Sequence, residues 1–243
     1  MTTKRRVLRA WSARVDADEA RATFALASLV LRYPDEQLIE SLPSLNRVYG
    51  QLPRRVGEPF AVLCRRLEDV SLLDSQTDYV ATFDLKRRCC LYLSYYLNGD
   101  TRRRGMALWR FLNEFKVAGQ EVAQGELPDY LPAILEFAAL GHEDAAIRLM
   151  HEHRAGLLVL LEALDELNSP YAGIVRVVDS LLPPRLDRTI TEAERLVYEG
   201  PPSELVGIDD DTALAPYGGS LSVGCGSDST PVTYVNIERR ARS

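Results

Sequence analysis

The stretch Cys89-Cys90-Leu91-Tyr92-Leu93-Ser94-Tyr95-Tyr96-Leu97 decides the fold class. It holds no charged residue, and its apolar and aromatic side chains fall nearly all round a helix. A helix that is apolar on every side belongs in the centre of a bundle. Asn98-Gly99 supplies its end, and Asp84 stands where a cap for this helix is expected. A long amphipathic helix is predicted from Thr101, with Leu108, Phe111, Leu112 and Phe115 on one stripe, followed by a polar loop over 119–128.

Upstream, the same helical period runs through 18–31, where Phe24, Leu26, Leu29, Val30 and Leu31 precede the stop at Tyr33-Pro34. Asp35 or Glu36 opens a second helix, with Leu38, Ile39, Leu42 and Leu45 inward and Pro43 bending it. Further helices are expected over 59–74 and 76–83. Downstream, 130–141, 143–167, 171–182 and 189–199 repeat the pattern, with breaks at Gly141, Ser169-Pro170 and Pro183-Pro184. No alternating run of useful strand length precedes residue 200. The expected fold is all-α, a single bundle domain of about nine or ten helices over 1–200. From 201 to 243 glycine, serine and acids dominate, and that segment is read as a disordered tail. Its one adhesive element, over 231–237, is read as loose, with adding as a strand or docking on a partner as the alternatives.

Composition narrows the function. Hydrophobic residues at 46% and charged residues at 26% suit a soluble globular protein, and a net charge of −6 argues against a nucleic-acid surface. No apolar run is long enough to span a bilayer, and the first residues never reach an apolar core like that of a secretory signal, so a cytoplasmic protein is expected. Cys64, Cys89, Cys90 and Cys225 form no metal-binding spacing and are too few for a disulfide framework. His151 and His153 are two residues apart, which puts them on different helix faces, so no metal site is expected. There is no phosphate loop, dinucleotide fingerprint, metalloprotease motif or nucleophile elbow, so the reading is a non-enzyme.

One window carries a positive signal. From Val117 to Ile147 there is no Lys or Arg, yet Glu121, Glu126, Asp129, Glu136, Glu143 and Asp144 all fall there. An acidic rim beside an apolar groove receives a basic amphipathic helix. The plain alternative is that these acids favour helix N-termini, as Asp129, Glu143 and Asp144 would by position. Pro128 enforces an extended approach, Asp129 is read as the N-cap of the helix that follows, and Pro132 falls in its first turn.

Within this window Glu126-Leu-Pro-Asp-Tyr-Leu-Pro-Ala-Ile-Leu-Glu-Phe137 resembles the signature of the NarJ-type respiratory nitrate reductase assembly chaperones. These belong to the wider TorD/DmsD group of redox-enzyme maturation chaperones. Leu29-Val-Leu-Arg-Tyr-Pro-Asp35 resembles that family's first-helix ending. Tyr79-Val-Ala-Thr-Phe-Asp84 with Arg87-Arg-Cys-Cys-Leu-Tyr-Leu93 resembles its Y-x-x-x-F-D block, and Pro231-Val-Thr-Tyr-Val235 its C-terminal motif. The resemblance implies an all-α cytoplasmic chaperone, absent from the finished enzyme. It implies binding of the apo catalytic α-subunit of nitrate reductase through its N-terminal segment and a second region. That subunit would be held competent for molybdenum cofactor insertion and membrane docking. The chaperone itself would hold no stable cofactor. Its partners would be the apo α-subunit and proteins that deliver the molybdenum cofactor, with no nucleic acid and no direct membrane insertion. Alternatives are a chaperone for another molybdoenzyme, a nucleotide-binding helical protein, or an interaction scaffold. Under the chaperone reading the candidate partner-binding residues are Tyr79, Phe83, Asp84, Tyr92, Tyr96, Glu126, Pro128, Asp129, Tyr130, Pro132, Leu135 and Glu136.

Overall fold

The computed structural model describes residues 16–123, 125–203 and 238–239. Helix α1 (Ala17–Val30) starts at Asp16, whose carboxylate accepts hydrogen bonds from the Asp18 and Glu19 N–H groups. Asp35 does the same for α2 (Glu36–Tyr49) through the Leu38 N–H at 2.8 Å. The third helix, α3, covers Arg54–Asp69, about five residues earlier than the period suggested, and takes Pro59 into its second turn. Ser71 then caps α4 (Leu72–Tyr79), which widens into a π turn over Val80–Asp84. Asp84 therefore ends a turn and caps nothing.

The central stretch needs a correction. Residues 89–97 are buried or half-buried, but they are not one helix. A 3-10 turn covers Arg87–Cys89, Tyr92 is extended, and α5 is only Leu93–Asn98. The competing interaction is long-range. Tyr92 bridges Tyr130 in antiparallel fashion, with the Leu93 N–H donating to the Asp129 carbonyl and the Leu131 N–H to the Leu91 carbonyl. A buried backbone must place its polar groups somewhere, and here the partner is the opposite strand-like segment.

Helix α6 (Arg102–Val117) begins after Thr101 and buries Ala107, Phe111 and Phe115. The loop beyond it contains β1 (Gln120–Glu121), paired antiparallel with β2 (Glu238–Arg239). Helix α7 (Leu131–Phe137) runs on through a π turn, Ala138–His142, to the break at Gly141 (φ 96°). The long helix expected over 143–167 is divided at His153 into α8 (Glu143–Glu152) and α9 (Arg154–Glu166). His153 is buried, its Nδ1 lies 3.0 Å from the Leu149 carbonyl oxygen, and its ring rests on Phe111. Helices α10 (Tyr171–Ser180) and α11 (Asp187–Glu199) complete the bundle.

The true central elements are α7 and α9. Every residue of α7 except Glu136 is buried, and α1 packs along it. Helix α9 is covered by α5, α10 and α11. Phe24, Phe60, Phe111, Phe115 and Phe137 are fully buried, each contributing about 1.5–3 kcal/mol by transfer from water. One ion pair lies inside this core: Arg154 donates to Asp179 at 2.7 Å, and to the carbonyl oxygens of Asp179 and Pro183. The all-α architecture agrees with the sequence reading. Of the tail expected over 201–243, residues 204–237 and 240–243, with the motif at 231–235, lie outside the described residues.

Candidate partner-binding site

The separate signature strings meet at one place. Leu31 and Arg32 lie in the first string, Tyr79 and Phe83 in the second, Tyr92 in the third, and Glu126 to Glu136 in the fourth. The Tyr79 hydroxyl donates to the Leu31 carbonyl oxygen at 3.0 Å and lies 3.3 Å from the Tyr130 hydroxyl. The Tyr92 and Tyr130 rings are 5.3 Å apart, a consequence of the backbone bridge between them. The Tyr92 hydroxyl donates to Glu126 Oε1 at 3.3 Å, and the same oxygen accepts the Leu127 N–H at 3.0 Å. Behind them Tyr79 and Phe83 each meet Tyr171 edge to face, Phe83 is tilted against Tyr79, and Tyr33 closes on Tyr79 edge to face.

Electrostatically the site is organised round Arg32, which donates to Glu136 Oε2 at 2.5 Å and also acts on Glu126 and Tyr130. Burial pushes the Glu126 carboxyl above the ordinary glutamate range, against the pull of the Leu127 and Tyr92 hydrogen bonds. Burial likewise raises Glu136, and Arg32 only partly offsets it. Desolvation lifts the tyrosines too: Tyr130 to about 12, and Tyr79 and Tyr92 well above their usual value. These groups stay protonated at neutral pH and act as hydrogen-bonding groups, not bases.

The twelve candidates divide evenly. Asp84 is exposed, and Tyr92, Glu126, Pro128, Tyr130 and Glu136 are half-buried with access to solvent. Tyr79, Phe83, Tyr96, Asp129, Pro132 and Leu135 are buried and hold the others in place. Tyr96 is fully buried, its hydroxyl within 3.0 Å of the Arg88 and 2.8 Å of the Cys90 carbonyl oxygen. Asp129 does not cap its own helix. Its Oδ2 accepts from the Ser94 N–H at 3.1 Å and the Ser94 hydroxyl at 2.5 Å, so it caps α5 from across the bridge.

The basic gap in the sequence is filled in space. Glu136 pairs with Arg32, Glu143 with Arg21 at 2.7 Å, and Asp129 lies 3.8 Å from Arg104. Of the six acids, Glu136 and Glu143 are therefore paired at the surface and Asp129 is buried beside Arg104, so the window is compensated in part. Arg32, Ser94 and Arg104 are the residues sequence reasoning missed, and Arg104 also lies over the Tyr92 and Tyr95 rings. A thirty-residue acidic window without cations needs cations from elsewhere, and Arg32 was available inside a quoted string. Among the described residues no three His, Cys, Asp or Glu side chains gather as metal ligands, and no helix is long and apolar enough to cross a membrane.

Comparison with known proteins gives the following. A family model described as nitrate reductase delta subunit matches residues 50–176, more than half the chain. The nitrate reductase-like protein NarX of Mycobacterium tuberculosis (strain ATCC 25618 / H37Rv) is 37% identical over 153 residues, which is 63% of this chain. The chain spans 23% of the length of that mycobacterial protein. The "Probable nitrate reductase molybdenum cofactor assembly chaperone NarJ" of Bacillus subtilis (strain 168) is 28% identical over 165 residues, 68% of this chain and 90% of its own. The nitrate reductase molybdenum cofactor assembly chaperone NarJ of Escherichia coli (strain K12) is 28% identical over 150 residues, 60% of this chain and 64% of its own.

Proposed function

The chain belongs to the nitrate reductase delta subunit family, and on that premise we propose that it is an assembly chaperone for a respiratory nitrate reductase. It binds the catalytic α-subunit in its apo form, keeps it competent for molybdenum cofactor insertion, and is released before or as the enzyme docks on its membrane subunit. It works on the cytoplasmic side and catalyses no reaction of its own. The names of two of the similar proteins support the role. The observation that carries it is the convergence of the signature strings on one half-buried patch. There Glu126 and Glu136 are desolvated carboxylates, only partly compensated by Arg32.

Such a patch is suited to recognition. A desolvated carboxylate gains more from an incoming cation than a solvated one does, because screening by water is weaker. A basic side chain of the target's N-terminal segment would compete with Arg32 for Glu136 or complete the shell of Glu126. Tyr92, Tyr130, Pro128 and the exposed Leu127 would supply apolar contact. Apolar burial would provide most of the affinity, at about 25 cal/mol per Å² before ordering costs, and the acids would set orientation and encounter rate.

The test is titration of the full-length protein with a peptide copied from the catalytic subunit's N-terminus, at several salt concentrations. The Glu126→Gln, Glu136→Gln double variant should keep its helical circular dichroism and lose much of the salt dependence. An unchanged salt slope removes this patch from the docking surface. In cells, loss of the protein should leave nitrate reductase polypeptide that accumulates without its cofactor.

A further inference from the structure

Helices α6 and α11 stand on either side of an open groove of about 850 Å³, closed at the back by the junction of α8 and α9. Its floor is apolar, with Leu97, Ala107 and Ala155 buried or half-buried there. On its rims Met106 and Leu186 are left 68% and 42% exposed. Arg103 and Arg110 lie on the α6 rim and Arg188 on the α11 rim, all three exposed. Among the described residues none of the three has a carboxylate partner. Two acids reach the groove, Glu152 and Glu192, and Glu192 is already held by Arg195 at 2.7 Å. In a chain of net charge −6, this groove keeps excess positive charge over an apolar floor.

The spacing on α6 is that of a helix-binding face. Arg103, Met106 and Arg110 follow one another at three and four residues, so cation, thioether and cation run along one side of the helix over about 10 Å. The bundle does not use that side, since α6 turns Phe111 and Phe115 to the core. A second helix laid along it would meet the two arginines with carboxylates two turns apart and Met106 with an apolar residue between them. Arg188 stands ready for a carboxylate on the opposite flank. The groove is concave, so a protein segment reaches its apolar floor, whereas the flat surface of a bilayer would touch only the rims.

We propose that this groove binds an acidic amphipathic helix of a partner protein. The apolar residues of that helix sit between Met106 and Leu186, and its carboxylates pair with Arg103, Arg110 and Arg188. The sign is opposite to that of the basic segment assigned to the patch round Glu126 and Glu136, and no residue lines both. The assignment does not rest on the chaperone reading.

The probe is a synthetic helical peptide of about five turns, with leucine on one face and glutamate on the other, titrated into the full-length protein by fluorescence anisotropy. A scrambled peptide without an apolar face and a peptide with glutamine for glutamate are the controls. The acidic amphipathic peptide should bind about tenfold more tightly than either. The Arg103→Glu, Arg110→Glu, Arg188→Glu variant should lose that preference, and Met106→Asp should weaken binding several-fold. Both variants should keep their helical circular dichroism, because all four side chains are exposed. Arg47→Glu, on the exposed side of α2, and the Glu126→Gln, Glu136→Gln double variant should bind as wild type does, so this groove and the acidic patch fail or succeed separately. Equal binding of the three peptides overturns the proposal, and so does unchanged binding by the triple arginine variant. Sedimentation with phosphatidylglycerol vesicles that the triple variant loses, without preference for the acidic peptide, overturns it in favour of a lipid surface. A dimer that the triple variant dissolves overturns it in favour of a second copy.

Discussion

Asp129 shows how a single side chain can be read correctly in kind and wrongly in place. Its type, beside Pro128 and before an apolar run, signals a helix cap, and it is one, but for α5 and not for α7. A cap needs only a carboxylate within reach of free N–H groups, and local sequence cannot say which helix supplies them. Replacing it with alanine removes two hydrogen bonds in a fully buried position, leaving the Ser94 N–H and hydroxyl unpaired. The expected cost is about 1–3 kcal/mol, measured by urea unfolding; a loss within error would mean that water substitutes for the carboxylate. Glu126 makes the opposite prediction. Its folded carboxyl titrates above its unfolded value, so its ionisation opposes folding. Its contribution is most favourable below the unfolded value of about 4.3 and is lost as pH rises through the folded one. Glu126→Gln should therefore gain stability relative to wild type as pH goes from 4 to 7. A difference that stays flat over that range would show the carboxyl to be better solvated than its surroundings indicate.

At the level of elements, helical period located nearly every helix, and the breaks at Gly141, Ser169-Pro170 and Pro183-Pro184 all stand. What it could not give was the fate of residues 89–92. Their apolar pattern fits a helix and a buried extended segment equally well, and only the distant 129–131 segment decides between them. The division at His153 was equally hidden, because no proline or glycine marks it. The candidate site was legible as a set of strings but not as a surface: six of the twelve candidate residues are buried, and the cation beside them, Arg32, lies outside the acidic window. The seat of α5 on α9 gives a further test. Gly156 faces Tyr96, and an added Cβ would come within 2.7 Å of the Tyr96 Cβ. Tyr96 is fixed by its hydroxyl and fully buried, so it has little room to retreat. Gly156→Ala should cost about 1–3 kcal/mol despite alanine's better helix propensity. If thermal unfolding shows the variant to be as stable as wild type, α5 and α9 can slide apart freely.

At the scale of the molecule an apolar core holds the described helices together, and the Arg154–Asp179 pair lies inside it. Burial alone would raise the Asp179 carboxyl, but its hydrogen bonds and charge pairing with Arg154 and Arg185 outweigh that and hold it below the ordinary aspartate value. A depressed folded value gives stability that is complete above the unfolded value of about 3.9 and is lost as pH falls through the folded one. Acid unfolding should thus include an Asp179 component that sets in only below about pH 4. Asp179→Asn, which leaves Arg154 buried without its counter-charge, should cost about 3–5 kcal/mol at neutral pH and flatten that acid limb. Retention of the limb in the variant would assign it to other carboxylates. The packing of α1 on α7 has a different kind of consequence, one of timing. Phe24, Leu26, Ala27 and Val30 are made first, but α7, the helix they pack along, is synthesised about 100 residues later. At roughly 5–20 residues per second, that apolar face leaves the ribosome some 5–20 s before its partner exists. During that interval α2 is the main packing partner that α1 has among the helices already made. A protein proposed to shelter another's unfinished chain thus passes through a period in which its own first helix needs shelter.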